Sequence, residues 1–247
     1  MLLTKPFHHS RKTSFAILAA LSLLLVGCAL KQWGIPYQIS EPLIEEDAFM
    51  PALTQHSSGK ATALWVQSLN EHTRIMASRF DGLLWEKPVQ IDQPTASGLS
   101  ISVTPVAVTG NTGVVTAAWL QWDGRLLTVN SSRHVDGLWS QPEKLGTATN
   151  IADVTRLSMT VDSNGSVTVA WEQDDNTLMA ARSTAGIWQP AQMISDSAIG
   201  SRNQAMVVDP QGRVTLLWDE LKNNVRIIQS RRWLPETHMW EAPQEIG

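Results

Sequence analysis

The side chains best suited to chemistry fall at a few spaced positions: Glu71, Trp122 and Asp123, Asp153, Asp174 and Asp175, Asp196, and Arg202. Carboxylates gathered from separate segments can exchange protons as acid and base or accept hydrogen bonds from ligand hydroxyls. An indole adds a flat stacking surface, and a guanidinium a planar anion-binding fork. Thr95, Ser97, Asn150, Asn176, Asn223 and Asn224 bring hydroxyls and amides to the same segments. Polar loops are common in every protein, so a solvated loop face explains the same residues unless the fold gathers them.

Other chemistries are absent from the pattern. The chain has no G-x-S-x-G, no H-E-x-x-H, no pair of cysteines and no glycine-rich phosphate loop. His56, His72, His134 and His238 lie far apart without metal-ligand spacing, so neither a metal nor a cofactor is expected. A net charge of -4 over 247 residues gives no basic field, which removes nucleic acid as a partner.

The single cysteine has a different context. Lys5, Arg11 and Lys12 precede an apolar run over 14–27, with no acidic residue before Cys28. A basic segment followed by a short apolar one is an export signal. At about 1.5 Å per residue the run is too short to cross a hydrocarbon core of about 30 Å comfortably. Leu25-Val26-Gly27-Cys28 resembles the bacterial lipoprotein lipobox, in which the cysteine is acylated and becomes the first mature residue. The resemblance implies a signal peptide over 1–27 and palmitate-type acyl groups on Cys28. Ala29, where another residue type would be aspartate, resembles the outer-membrane sorting pattern. The expected location is the cell envelope, lipid-anchored to the outer membrane with the chain facing the periplasm or the outside. A lone acylated cysteine also leaves no stray thiol in an oxidising compartment.

The elements that would position the loop residues come from an internal repeat. Gly59-Lys-Ala-Thr-Ala-Leu-Trp65, Gly113-Val-Val-Thr-Ala-Ala-Trp119, Gly165-Ser-Val-Thr-Val-Ala-Trp171 and Gly212-Arg-Val-Thr-Leu-Leu-Trp218 recur about every fifty residues. Each copy continues into a β-rich run ending at Arg79, Arg133, Arg182 or Arg231, then a Trp-x-x-Pro run starting at Trp85, Trp139, Trp188 (one residue shorter) or Trp240. A short apolar run precedes each glycine, which makes four strands per repeat. Asp-Gly dipeptides and Asp162-Ser-Asn-Gly165 supply the turns. Proline early in the fourth run suits an outer edge.

Four-stranded sheets repeated radially are the β-propeller plan. The expected fold is therefore all-β and propeller-like: four repeats of four antiparallel strands plus one extra N-terminal strand. The second strand should be buried on both faces, with its tryptophan filling the space between blades and the strand-end arginines forming rim salt bridges. The extra strand is Trp33-Gly-Ile-Pro36-Tyr-Gln-Ile39, a fifth copy of the outer run ahead of the first repeat. It leaves ring closure open: an added edge strand, an arc completed by a second copy of the chain, or one part of a larger ring. The expected divisions are 1–27 (signal), 28–47 (lipidated start, extra strand and acidic connector) and 48–247 (repeats). Strand order places Glu71, Trp122, Asp123, Asp153, Asp174, Asp175, Asp196 and Arg202 together on one loop face.

Ser78-Arg-Phe-Asp-Gly-Leu-Leu-Trp85 and Ser132-Arg-His-Val-Asp-Gly-Leu-Trp139 resemble degenerate Asp-box turns of the sialidase-like propellers. Such turns are structural and accompany several functions. A retaining sialidase needs a tyrosine nucleophile, and the only tyrosine, Tyr37, lies in the extra strand, so no catalytic residue is carried over. Two functions follow. One is an envelope-anchored, non-catalytic scaffold that binds a protein or a glycan through the loop face. The other is a glycan-processing hydrolase of the sialidase-like type.

Overall fold

The computed structural model describes residues 36–40, 47–148, 156–173, 177–195 and 200–246. The chain divides into two compact units, Met1–Gln38 and Ile39–Gly247, and all the sheets lie in the second. Cys28 falls outside the described residues.

Four antiparallel blades follow one another in chain order. Blade I holds β1 (Ala48–Gln55), β2 (Ala61–Leu69), β3 (His72–Phe80) and β4 (Val89–Gln90). Blade II holds β5 (Ile101–Thr109), β6 (Val115–Trp122), β7 (Leu127–Val135), β8 (Leu138–Trp139) and β9 (Glu143–Thr147). Blade III holds β10 (Ser158–Val161), β11 (Val167–Gln173), β12 (Thr177–Thr184), β13 (Ile187–Trp188) and β14 (Gln192–Met193). Blade IV holds β15 (Arg202–Val208), β16 (Val214–Lys222), β17 (Val225–Leu234), β18 (Met239–Trp240) and β19 (Gln244–Glu245). The first strands run side by side, β1 with β5, β5 with β10 and β10 with β15, as in a propeller. Among the described residues no comparable approach joins β15 back to β1.

The outer run splits in two within blades II to IV because its proline has no N–H to give the ladder. Its tryptophan end pairs with the tip of the third strand, as Trp139 does with His134 and Trp240 with Trp233. After the break the run pairs again further along, and it closes with equivalent bonds from Ile91 N–H to Ile75 O, Ala148 N–H to Leu127 O, Ile194 N–H to Leu178 O and Ile246 N–H to Ile228 O. At the tip of blade II, Asp136 and Gly137 carry φ of 50° and 86°, a turn of the hairpin type that the Asp-Gly dipeptide allows.

The second-strand tryptophans fill the inter-blade spaces, each facing the blade before it. Trp119 packs with Leu64, Val66, Ile75 and Ile91 of blade I, Trp171 with Leu120, Leu127 and Val129 of blade II, and Trp218 with Leu178, Ala180 and Ile194 of blade III. All three are buried. Trp171 also donates its indole N–H to Thr147 O at 2.7 Å. Its ring lies against Gly146, where a Cβ would come within 2.6 Å of Cζ2, so this glycine marks a close approach.

Blade I has no preceding blade, and Trp65 is instead packed with Ala63 and Met76 against Ile39. Ile39 ends the fifth Trp-x-x-Pro run, as Ile91 ends the first. The described part of that run, 36–40, is irregular. Its isoleucine nonetheless takes the role on Trp65 that Ile91 and Ile194 take on Trp119 and Trp218.

Two expectations about the arginines change. Thr62, Thr116, Thr168 and Thr215 pair with Arg79, Arg133, Arg182 and Arg232, so the fourth repeat's counterpart is Arg232 and not Arg231. Counted from the second-strand tryptophan Arg232 lies 14 residues on, as Arg79 and Arg133 do, whereas its neighbour Arg231 lies 13 on. These side chains also do more than form rim salt bridges, because they reach the following blade. Arg79 Nη1 donates to His134 Nδ1 at 2.8 Å, and Arg182 lies 5.4 Å above the Trp233 ring while also pairing with Asp162. Arg231 instead turns back to donate to Met193 O and Ile194 O.

Candidate functional site

The β2–β3, β6–β7 and β16–β17 turns lie at the same end of the blades as the inter-repeat loops, as strand order requires. Glu71, Trp122, Asp123 and Arg202 are therefore on one face. Asp153, Asp174, Asp175 and Asp196 lie outside the described residues. Glu71 is exposed. Trp122 is half-buried and packs on the core between blades II and III. Asp123 Oδ1 accepts the N–H groups of Arg125 and Leu126 at 2.9 and 2.7 Å, which hold its carboxyl below the usual range and close the turn. Thr95 Oγ1 bonds Leu99 O and Ser97 Oγ bonds Asp123 O, so these hydroxyls tie loops together.

Arg202 belongs to a cluster whose other members the sequence pattern did not single out. The first strand carries a bulge in three blades, at Met50, Thr104 and Asn203, each a non-glycine residue with φ between 50° and 55°. Bulges re-aim strands and are common beside functional sites. Here the bulge turns the Asn203 N–H onto Glu172 Oε1 at 3.2 Å, while the Asn203 side-chain amide donates to Asp219 Oδ2 at 3.3 Å. Arg226 Nη1 stands 3.3 Å from Asp219 Oδ1 and donates to Gly200 O at 2.9 Å. Burial pushes the Glu172 carboxyl up from its ordinary value. The Asn203 N–H and the charges of Arg202 and Arg156 draw it down, and Asp219 pushes it up again.

Two carboxylates, an amide and three arginines thus converge where β11, β15 and β16 end. Glu172 and Asp219 occupy the position directly after the second-strand tryptophan, where blades I and II have Val66 and Leu120. That change from apolar to acidic at one repeat position was the available signal. Such a cluster can accept bonds from hydroxyls on its carboxylates and hold an acidic or hydroxyl group on its arginines.

A recess on this face lies in blade I. A cavity of about 220 Å³ is lined by His72, Thr73, Gln90, Asp92 and Ser100. Asp92 is buried, accepting from Ser102 Oγ at 2.5 Å and Gln90 Nε2 at 3.0 Å, and burial raises its carboxyl above the ordinary value despite those bonds. At the other end of the blades a groove of about 440 Å³ runs past Arg182, Trp233, His238 and Trp240. Among the described residues no group of three or more His, Cys, Asp or Glu could hold a metal ion. No described helix is long and apolar enough to cross a membrane.

No protein-family model matches the chain, and no curated protein matches it in sequence. Solved structures do resemble it. A GH93 α-L-arabinofuranosidase of Fusarium graminearum, solved with arabinobiose, is 12% identical with a TM-score of 0.53 over 81% of this chain and 66% of its own. The intramolecular trans-sialidase from Ruminococcus gnavus is 10% identical with a TM-score of 0.54, over 81% of this chain and 71% of its own. The leech intramolecular trans-sialidase gives 9% and 0.56, over 91% and 55%. The chain therefore spans less than two thirds of the arabinofuranosidase and little more than half of the leech enzyme. At these identities the likeness establishes the fold, a β-propeller of the sialidase and arabinofuranosidase type.

Proposed function

We propose that the protein is a glycan-binding lipoprotein of the bacterial envelope, held by acyl groups on Cys28 and binding saccharide on the loop face over Glu172, Arg202 and Asn203. The observation that carries the binding site is the convergence of Glu172, Asn203, Asp219 and Arg226 at a strand bulge, with Arg202 and Arg156 close enough to act on Glu172. Carboxylate, amide and guanidinium in one cluster match the hydroxyl-rich and acidic surface of a sugar chain. The solved structures that resemble it include an arabinofuranosidase with arabinobiose and a trans-sialidase with oseltamivir carboxylate, which supports the ligand class. The anchor rests on Leu25-Val26-Gly27-Cys28 and the basic and apolar segments before it.

The test is binding of the detergent-solubilised full chain to an array of envelope and host glycans, with Arg202→Ala and Glu172→Gln beside it. Retention of particular glycans, lost in both variants while their unfolding midpoints stay unchanged, is the expected result. Signals equal in all three proteins would refute the site.

One observation favours a hydrolytic reading beside this one. Burial raises Glu172 while Asp219 lies next to Arg226, so two neighbouring carboxyls occupy different environments, the arrangement that glycosidases use for acid and nucleophile or base. Release of reducing sugar from a bound glycan, abolished in Glu172→Gln, would establish it. Binding with no release would leave the protein a lectin-like module.

A further inference from the structure

Each inter-blade interface in this molecule repeats one pattern, and the last blade carries half of it without a partner. On the side facing the next blade, Ile91, Ala148 and Ile194 are 3%, 4% and 0% exposed, whereas their counterpart Ile246 is 58% exposed. Ile75, Leu127 and Leu178 are 0%, 2% and 0% exposed, whereas Ile228 is 41% exposed. The second strands agree: β6 and β11 are buried on both faces along the run up to the tryptophan. β16 instead alternates, buried at Val214, Leu216 and Trp218 and half-exposed at Thr215, Leu217 and Asp219. A strand covered on both sides loses that alternation, so the forward face of blade IV is open.

Polar groups on the same face are also incomplete. Arg79 and Arg182 reach aromatic rings of the following blade, His134 and Trp233. Among the described residues their counterpart Arg232 meets no aromatic ring, and its Nη2 stands 4.0 Å from Asp209 Oδ2. Glu172 accepts the bulge N–H of the following blade at Asn203, whereas Asp219, at the same repeat position, has Oδ1 in an ion pair with Arg226 of its own blade and accepts no N–H from a following blade.

Between them the internal interfaces show what a cover would supply: a tryptophan over Ile228 and Ile246, a bulge N–H beside Asp219 as Asn203 gives Glu172, and a ring for Arg232 as His134 and Trp233 give Arg79 and Arg182. Blade I presents all three in the matching places. Trp65 corresponds to Trp119, Met50 has the bulge with φ 51° found at Asn203, and Phe80 aligns with His134 and Trp233. We propose that blade I of a second copy of the chain seats on the forward face of blade IV, so that copies associate head to tail by the same wedge that joins the blades within one copy. Ile246 of one copy then takes the place on Trp65 that Ile39 of the other occupies when alone. Head-to-tail contacts of this kind close into a ring where the rotation allows, and two copies would bring eight blades, within the range propellers adopt.

The experiment is sedimentation of the full chain in detergent over a wide concentration range. The expected result is a concentration-dependent mass of two copies or more, with Ile228→Asp weakening association at least about tenfold because the charge is forced into an apolar contact. A wild-type protein that stays monomeric throughout overturns the proposal. Circular dichroism of the variant shows whether it folds. A second measurement stands apart from that question: chains carrying Ile246→Cys and Ala63→Cys, produced together, should form a mixed disulfide, since Ile194 and Leu216 share one cluster at the equivalent internal positions. Only background crosslinking, as seen with either substitution alone, overturns it. Ile39→Ser, by removing the competing side chain, should tighten association, and weaker association would refute the exchange at Trp65.

Discussion

A double-mutant cycle at Trp171 and Gly146 tests whether the indole wedge sets the spacing of the blades. Trp171 is fully buried between blades II and III, so Trp171→Ala removes a large ring from a packed core and costs about 3–5 kcal/mol. Losing its bond to Thr147 O leaves that carbonyl unsatisfied and adds about 1 kcal/mol. Gly146→Ala acts on the same space from the other side. The new methyl would sit 2.6 Å from Cζ2 and 3.4 Å from Cε2 of the ring, a rigid neighbour that cannot swing away, so overpacking costs about 1–3 kcal/mol. If the ring is the whole reason for the glycine, the methyl becomes harmless once the ring is gone. The double variant should then be no less stable than Trp171→Ala, with a coupling as large as the cost of Gly146→Ala alone. Urea unfolding followed by circular dichroism, with slopes compared before midpoints, measures each corner of the cycle. Additivity within about 0.5 kcal/mol would refute the reasoning and assign Gly146 to backbone conformation in β9 instead.

Other outcomes follow from single groups. Burial and the neighbouring Arg79 charge hold His134 below its ordinary pKa, so the folded state binds fewer protons than the unfolded one. Stability should be complete above about pH 6.5 and fall on acidification through that value, and His134→Phe, which puts the ring of Phe80 at this position, should remove the dependence in a pH series of urea midpoints. Asp92 is shifted the other way by burial, so its contribution weakens as pH rises through the carboxylate range. Asp92→Asn should therefore raise the midpoint at neutral pH, and a lower midpoint there would show that its bond from Ser102 requires the charge. Labelling with palmitate should mark the wild-type chain and not Cys28→Ser, which should leave the membrane fraction. An unlabelled wild type would remove the anchor.

The parts of the fold legible in the sequence were those that repetition made visible. Gly113 to Trp119 and its three relatives marked the second strand because a strand buried on both sides tolerates little variation in size, and the tryptophan lies where neighbouring sheets meet. Register within a repeat was less secure. Arg231 and Arg232 are adjacent, so the arginine that ends the fourth run could be taken one position early, and the pairing of Thr215 with Arg232 fixes it. The candidate site was the least legible part, since a polar loop residue carries no periodic signal. Glu172 and Asp219 lie in strands, where an acid beside a repeated tryptophan reads as a substitution within the pattern. The bulge that gives Asn203 its contact with Glu172 depends on a local backbone conformation that composition does not encode.

That contrast ties the proposed binding site to the proposed self-association. A repeat whose blades were all equivalent would place Val66-like residues after every tryptophan and would bury each against the next blade. Blades III and IV place acids there. Between them Glu172 is matched by the Asn203 N–H of the following blade, so its burial is tolerated, while Asp219 is held by the Asn203 amide at Oδ2 and by the Arg226 ion pair at Oδ1. The acid at the end of the row therefore keeps Oδ1, beside its ion pair with Arg226, open to the N–H of a following blade in the way Glu172 is. Association that satisfies Asp219 Oδ1 should fix the position of Asn203 and so the carboxylate of Glu172. Glycan binding by wild-type protein should then strengthen with protein concentration, and Ile39→Ser, which removes the side chain competing for Trp65 in blade I, should shift that dependence to lower protein concentration. Equal affinity at every concentration would separate the two proposals and leave each to stand on its own test.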